Sequence, residues 1–348
     1  MEQHLLTEGP LLNEEGNLNE AGYALSLVKK YDRNLIKAGK SRIKEWDYYY
    51  VGNKKRGIAM TIADNGLYAM ASATLFNFET KTYVEKMTLK AFTFGKTNLP
   101  SSSKEGDVVF QNKEVEMKFL HEGETVRRLL LVWKNFSGEK ELRADIKLTE
   151  TLNGNSLVIA TPWPKKKHFY YNQKINLLSS TGYAKLDEDF VDLSHDTYGT
   201  LDWGRGVWTY KNTWYWSSMN TIQDGKEIGW NLGYGFGDTS AASENILFYD
   251  GNVYKLDDVR FDIPLDNKGH DDFMKRWTFR SEKRDIKIEF TPILNRHSDS
   301  NLVIIRSNQN QVFGVFNGTI RLPDSEKLIV IEDAPGFAEK VYNRWENA

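Results

Sequence analysis

The sequence predicts an all-β protein built as two tandem antiparallel barrels or sandwiches with a few short helices. Three observations point there. Apolar residues recur with period two along most of the chain, turn sequences separate the runs, and the order of the runs repeats once within 348 residues. Leu142, Ala144, Ile146 and Leu148 alternate with Arg143, Asp145 and Lys147. Val115, Met117 and Phe119 alternate with Glu116 and Lys118, and Ile286, Ile288 and Phe290 with Lys287 and Glu289. Strands with one dry and one wet face belong to antiparallel sheets. Asp64-Asn65-Gly66, Ser137-Gly138, Asp224-Gly225, Asp250-Gly251 and Asn317-Gly318 fall between the runs as hairpin turns. Nothing alternates strand with helix, which argues against a parallel doubly wound fold.

Two stretches read as helices. Asn19 offers a cap, and Ala21, Ala24, Leu25, Val28 and Tyr31 share one helical face. After Pro335-Gly336, Phe337, Val341 and Trp345 recur at i, i+4 and i+8.

The internal repeat sets the domain plan. Val115–Phe119, Leu129–Val132 and Phe136-Ser137-Gly138 match Ile286–Phe290, Leu302–Ile305 and Phe316-Asn317-Gly318 in order and character. Upstream, Trp46-Asp47-Tyr48-Tyr49 leads to Leu75–Phe78 as Trp214-Tyr215-Trp216 leads to Ile246–Tyr249. Thr161-Pro162-Trp163-Pro164, followed by three lysines, stops a strand and solvates a connection. The expected domains are therefore 1–162 and 163–348. The lysine run reads as a linker in preference to an anion contact.

Composition narrows the function. Lys+Arg 46 against Asp+Glu 48 gives a formal charge of -2, which disfavours general attraction to nucleic acid or anionic membrane and leaves room only for a local basic patch. With no cysteine there is no thiolate nucleophile, Cys-ligated metal or disulfide. The first sixteen residues carry four glutamates and no signal-like apolar run, so a cytoplasmic protein is expected. The longest purely apolar runs are four or five residues, which predicts no membrane insertion. Gly39-Lys40-Ser41 and Gly95-Lys96-Thr97 lack the first glycine of a phosphate loop, His121-Glu122 lacks the second histidine of a zincin, and no Gly-x-Ser-x-Gly occurs. No cofactor and no metal are expected.

The chemistry concentrates between His195 and Asn245. Asp202-Trp203-Gly204-Arg205-Gly206-Val207-Trp208 sets a carboxylate and a guanidinium among rings, and buried charges there must pair with each other or with neighbours. Trp214 and Trp216 share a strand face. Asn231, Gly233 and Gly235 share another, nearly bare, with space for a crossing strand or a ligand. Glu244-Asn245 adds a second acid before the next strand. Three readings follow. The rings fill a barrel whose polar residues form a satisfied network; or they line a pocket for an apolar ligand; or they stack on sugar, as in a carbohydrate-binding protein or two-carboxylate glycosidase.

At these residues the sequence resembles a bacterial family known only as domain of unknown function 2804. The resemblance rests on Arg42–Tyr49, Asp202-Trp203-Gly204-Arg205-Gly206-x-Trp208, Trp214-x-Trp216, Asn231-Leu232-Gly233, Glu244-Asn245, Phe313-Gly314-x-Phe316-x-Gly318 and Gly336-Phe337-Ala338-Glu339. The family favours Pro, Arg and Asn where Thr209, Lys211 and Tyr215 stand, and Lys211 weakens any bidentate anion contact at that position. The family is distantly similar to two-domain lipocalin-like proteins that include carotenoid hydratases of the hydroxyneurosporene synthase type and plant tocopherol cyclases. That similarity implies two calycin-like barrels and cofactor-free, acid-promoted hydration or cyclisation of isoprenoid-like substrates.

The expectation is a protein that binds a hydrophobic small molecule. Trp46, Asp47, Trp203, Trp208, Trp214, Trp216, Asn231 and Asn245 are its candidate ligand contacts. If it is a hydratase, isomerase or cyclase, Asp202 or Glu244 acts as general acid and Arg205 stabilises charge.

Overall fold

The computed structural model describes residues 2–209, 211–282, 285–302, 305–323 and 325–345. The chain forms two compact units, Met1–Trp208 and Thr209–Ala348. The expected junction after Pro162 lies inside the first of them. Leu157–Pro162 pairs antiparallel with Phe169–Leu186, so the proline and lysine segment is a hairpin connection. Prolines end a strand equally well before a hairpin and before a new domain, and the sequence alone does not separate the two.

In the first unit one sheet runs Thr82–Ala91, Tyr68–Asn77, Arg56–Asp64, Ile43–Gly52, Tyr198–Val207, Phe169–Leu186, Lys140–Thr149, Val126–Ser137, Val115–His121, Val108–Gln111. Each pair is antiparallel, and Tyr198–Val207, last of these strands in sequence, docks beside Ile43–Gly52, the first of them in sequence. The sheet curls until its halves meet. Tyr49 and Phe119 touch edge to face at 4.9 Å although their strands lie five places apart, and Lys86 on the first edge strand reaches the Asn135 carbonyl at 2.7 Å. Ile43, Tyr49, Val51, Phe119, Leu129, Trp133, Ile146, Tyr171, Leu201 and Trp203 fill the interior.

The second unit repeats the plan in the order Asn252–Lys255, Ile246–Tyr249, Lys226–Tyr234, Lys211–Gln223, Leu328–Trp345, Ile305–Arg321, Ile286–Leu302, Trp277–Arg280, Arg260–Asp262. Again the last strand closes beside the first. Its separate core holds Met219, Trp230, Leu232, Trp277, Phe279, Phe290 and Phe316. Both units are curled antiparallel half-barrels of lipocalin-like type.

The repeat read from sequence is half right in position. Trp46 and Trp214 lie on the equivalent first strands, and Leu75 and Ile246 on the equivalent third strands. Val115–Phe119, however, lies on the second strand from its sheet edge, whereas Ile286–Phe290 lies on the third. Alternation alone does not distinguish neighbouring strands.

Neither expected α-helix forms, and among the described residues helical structure is confined to three-residue 3-10 turns at Arg33–Leu35 and Lys40–Arg42. In the first stretch Gly22–Ala24 extends along Leu157–Pro162, and Tyr31 reaches Glu45 Oε1 at 2.7 Å. The second stretch lies in Leu328–Trp345, paired on both sides. There Phe337, Glu339 and Val341 also fit a period of two, and the cross-strand partners decide between the patterns.

A buried ion pair fastens the first unit. Arg205 donates to Asp47 Oδ1 at 3.0 Å and to the carbonyl oxygens of Trp46 (2.9 Å), Gly204 (2.9 Å) and Pro100 (2.8 Å). Burial pushes the Asp47 carboxyl upward, and Arg205 opposes that shift. Removing one partner strands the other, so Arg205→Leu should cost about 3 to 5 kcal/mol. The double variant Arg205→Leu/Asp47→Leu should cost at least ~1 kcal/mol less than the sum of the single variants. Denaturant melts of the four proteins test this; strictly additive losses would refute the coupling.

Candidate functional site

Strand alternation sorts the predicted residues onto two faces. Along Tyr198–Val207, Leu201, Trp203 and Arg205 point into the core, while Asp202, Gly204 and Gly206 lie on the second face. Asp202 and Arg205 therefore do not share a site. Trp203 and Asp47 go with Arg205 into the interior, where the guanidinium stacks 4.3 Å over the Trp203 ring.

On the second face Asp202 is cross-strand from Lys174, whose ammonium lies 2.9 Å from its Oδ1; Asn172 Nδ2 donates to the same oxygen at 2.6 Å. All three residues are buried. Trp46 lies over Gly204: a Cβ there would come within 1.9 Å of the indole. The Trp46 ring stacks on Tyr170 at 5.9 Å and meets Trp208 edge-on at 5.2 Å. Trp46 and Trp208 are half-buried, so the group forms an aromatic surface beside a buried ion pair.

Alternation sorts the second unit onto two faces as well. Tyr215, Ser217 and Met219 face its core side, leaving Trp214, Trp216 and Ser218 on the second face. Cross-strand pairing gives one row on that face: Gln311, Glu339, Trp216 and Gly233. Trp214 Nε1 donates to Glu339 Oε1 at 2.9 Å, and Trp216 Nε1 donates to Asn231 Oδ1 at 2.6 Å. Phe337 packs edge-on against Trp216 at 4.9 Å and lies tilted against Phe313 at 5.5 Å.

Glu244 enters this row from the loop before Ile246–Tyr249. Its Oε2 lies 3.0 Å from where a Cβ on Gly233 would stand. The bare glycine row is thus occupied at Gly233 by a carboxylate of the same unit. Three side chains hold the loop. Asn231 Nδ2 donates to the Glu244 carbonyl at 2.7 Å; Asn245 accepts from Gly233 N at 2.8 Å and donates to the Asp257 carbonyl at 2.7 Å. Lys255 Nζ donates to Ser243 Oγ (2.6 Å) and to the carbonyls of Ser243 (2.7 Å) and Asn245 (2.8 Å). Two buried carboxylates, Glu244 and Glu339, therefore flank Trp216. Such a row can stack a flat apolar molecule, accept hydrogen bonds and carry a proton.

Sequence reasoning missed Lys174, Asn172, Glu339 and Lys255 as parts of these faces. For Glu339 the signal was present, since it alternates with Ala338 and Lys340 in a run first read as helix. Lys255 gave none, because its role depends on loop carbonyls. No cluster of three or more His, Asp or Glu side chains among the described residues is placed to hold a metal. No helix among them is long and apolar enough to cross a membrane.

Fold and faces together define a protein of two lipocalin-like half-barrels, each with a polar and aromatic second face. The chain belongs to the family described as domain of unknown function DUF2804, whose model matches residues 2–345. No curated protein matches its sequence. Solved structures with the same fold include a provisionally assigned AttH protein from Nitrosomonas europaea, with 11% identity, a TM-score of 0.52, and 92% of this chain and 98% of that one covered. CghA with Sch210972 matches with 10% identity and a TM-score of 0.54, covering 97% of this chain and 98% of that one. Kievitone hydratase from Nectria haematococca matches with 12% identity and a TM-score of 0.50, covering 92% and 96%.

Burial lowers the Lys255 ammonium from 10.5 to about 7, opposed by the nearby charges of Glu244 and Asp257. Lys44 in the first unit is lowered to about 7 as well, chiefly by burial. Because the folded value lies below the unfolded one, the unfolded chain binds more protons above pH 7. Stability should then rise with pH between about 7 and 9.5, below the range in which buried tyrosines ionise on unfolding. Lys255→Met should flatten that rise to the Lys44 contribution and cost about 1 to 3 kcal/mol through the carbonyls left without their donor. Thermal melts across this range check both effects; an unchanged pH slope in Lys255→Met would exclude Lys255 as their source.

Proposed function

We propose that the protein binds a hydrophobic small molecule on the second face of its second unit, with Trp214 and Trp216 as stacking surface and Asn231, Glu244 and Glu339 as polar contacts. The observation that carries this reading is the row in which two buried carboxylates flank Trp216, outside the unit's own apolar core. Two buried acids beside indoles and outside the apolar core are costly to place, and polar contact with a ligand would account for them. Asn245 serves by holding the Glu244 loop. Trp46 and Trp208 give the first unit a comparable stacking surface beside Asp202. Arg205, Asp47 and Trp203 support it from the core side by fixing the strand that carries Asp202.

Cofactor-free proton transfer is the second reading, favoured by the same two carboxylates. A protonated Glu244 would deliver its proton to an alkene carbon; water would then add to the cation, either directly or after a second double bond has closed a ring on it, and would return a proton to the Glu244 carboxylate. The named neighbours are compatible with both readings, since one is a hydratase and another was crystallised with a small molecule. At such low identity they support the fold and leave the chemistry to the residues.

Titration of tryptophan fluorescence with geranylgeraniol, and separately with maltohexaose, tests the proposal. Geranylgeraniol should quench the signal saturably, and Trp216→Ala should weaken its affinity about tenfold. A response to maltohexaose alone would replace the apolar reading with a carbohydrate one. For the second reading, mass spectrometry of the alcohol after incubation in heavy water should show deuterium uptake that Glu244→Gln abolishes while binding persists.

A further inference from the structure

We infer that the edge of the first unit around Phe92 and Phe94 docks onto an anionic lipid surface. Thr82–Ala91 is the edge strand, and on its face away from the core it carries Met87 and Leu89, which are 56% and 51% exposed. Their cross-strand neighbours are Ser72 and Met70. The turn that follows adds Phe92, 71% exposed, and Phe94, 37% exposed, with their rings stacked at 6.3 Å. Soluble surfaces scatter single apolar side chains, whereas here four large exposed ones fall within eight residues, two along the edge strand and two on the turn that follows it.

The turn holds these rings outward. Phe92 and Phe94 both have positive φ, 57° and 47°, a conformation that bulky residues avoid. They keep it because the frame is bonded throughout. Phe92 N donates to the Leu67 carbonyl (2.6 Å) and Phe94 N to the Gly66 carbonyl (2.7 Å). The buried Asp64 carboxylate takes Gly95 N at 3.0 Å and Thr97 Oγ1 at 2.8 Å. Backbone strain maintained to display two phenyl rings to solvent points to something that the rings contact.

Charge identifies the partner. From Lys86 to Lys104 the sequence has four lysines and no acid, although the whole chain is slightly acidic. Lys96 is exposed on the turn, and so is Lys40, whose carbonyl packs against Gly66 beneath it; Lys90, also exposed, pairs with the core residue Ala69 and so lies on the strand face opposite Met87 and Leu89. None of the three has an ion-pair partner among the described residues. The acid on the same strand face, Glu85, stands at its far end beside Thr74. Exposed rings and aliphatic chains within unpaired lysines match the boundary between anionic headgroups and acyl chains. Docking there would be interfacial, with no spanning segment.

Co-sedimentation with vesicles of phosphatidylcholine, with and without phosphatidylglycerol, tests the inference on the full chain. Binding should require phosphatidylglycerol and weaken with added salt. Lys40→Gln and Lys96→Gln should each reduce it about fivefold. Phe92→Asn/Phe94→Asn should reduce it at least about tenfold with an unchanged thermal melt, because Asn tolerates the left-handed backbone while removing apolar area. Failure to bind either vesicle, or binding that the phenylalanine variant leaves intact, would overturn the proposal. So would self-association in light scattering that this variant abolishes, which would assign the patch to a second copy of the chain.

Discussion

Every strand presents two faces, and in the strand that closes the first unit both faces are buried and charged. Tyr198–Val207 sends Arg205 to one side and Asp202 to the other, and neither charge is left to solvent. Burying a charge without partners costs several kcal/mol, so each side needs its own set of partners. On the core side Arg205 uses Asp47 and three carbonyls. On the second side Asp202 uses Lys174 and Asn172 from the adjoining strand. The pairing of Ile43–Gly52, Tyr198–Val207 and Phe169–Leu186 therefore fixes register as well as hydrogen bonding. A one-residue slip would turn Arg205 toward Lys174 and Asp202 toward Asp47.

The second unit meets the same constraint differently. Its second face carries acids beside indole N–H groups: Glu339 accepts from Trp214, and Glu244 stands over Gly233 next to Trp216. The cation of the neighbourhood, Lys255, is turned into a carbonyl cage beneath the Glu244 loop. Its charge attracts the acid while its hydrogen bonds go to the Ser243 hydroxyl and the loop carbonyls. Paired charge in the first unit fits a structural anchor. In the second unit Glu339 on its strand and Glu244 on its pinned loop set two acids among rings, the arrangement on which the proposed binding face rests.

Much of the fold was legible because a period of two survives in almost every strand, and the half-barrel repeat followed from its order. Where a segment satisfied both periods, as in Phe337, Glu339 and Val341, only its neighbours on both sides could decide. The domain junction was misplaced because Pro162 and Pro164 mark a strand end without saying whether the next strand returns. Of the candidate site, the indoles and Glu244 were legible, whereas Glu339 and the grouping were not. Yet part of the grouping was implied by the strand assignment itself: residues 202 and 205 differ by an odd number and so cannot share a face. What had no sequence signal was contact between distant segments, as when Lys255 grips Ser243 or Lys174 reaches Asp202.

Two glycines explain how large groups come to lie flat on these sheets. A side chain at position 204 would collide with the Trp46 ring, and one at position 233 would crowd the Glu244 carboxylate. In each unit a bare position on one strand receives a group from elsewhere, which then rests on backbone instead of standing out from it. For Trp46 the consequence is a ring held parallel to Tyr170, at an interplanar angle of 10°. For Glu244 it is a carboxylate brought down to the level of the Trp216 row. A ring and an acid set at fixed height above a sheet lose little freedom when they meet a flat molecule, and such preorganisation raises affinity without adding contacts. The glycines in Asp202-Trp203-Gly204-Arg205-Gly206 and Asn231-Leu232-Gly233 are therefore sockets as much as turns. Their spacing from the nearest acid or ring is the part of these motifs that carries the most structural information.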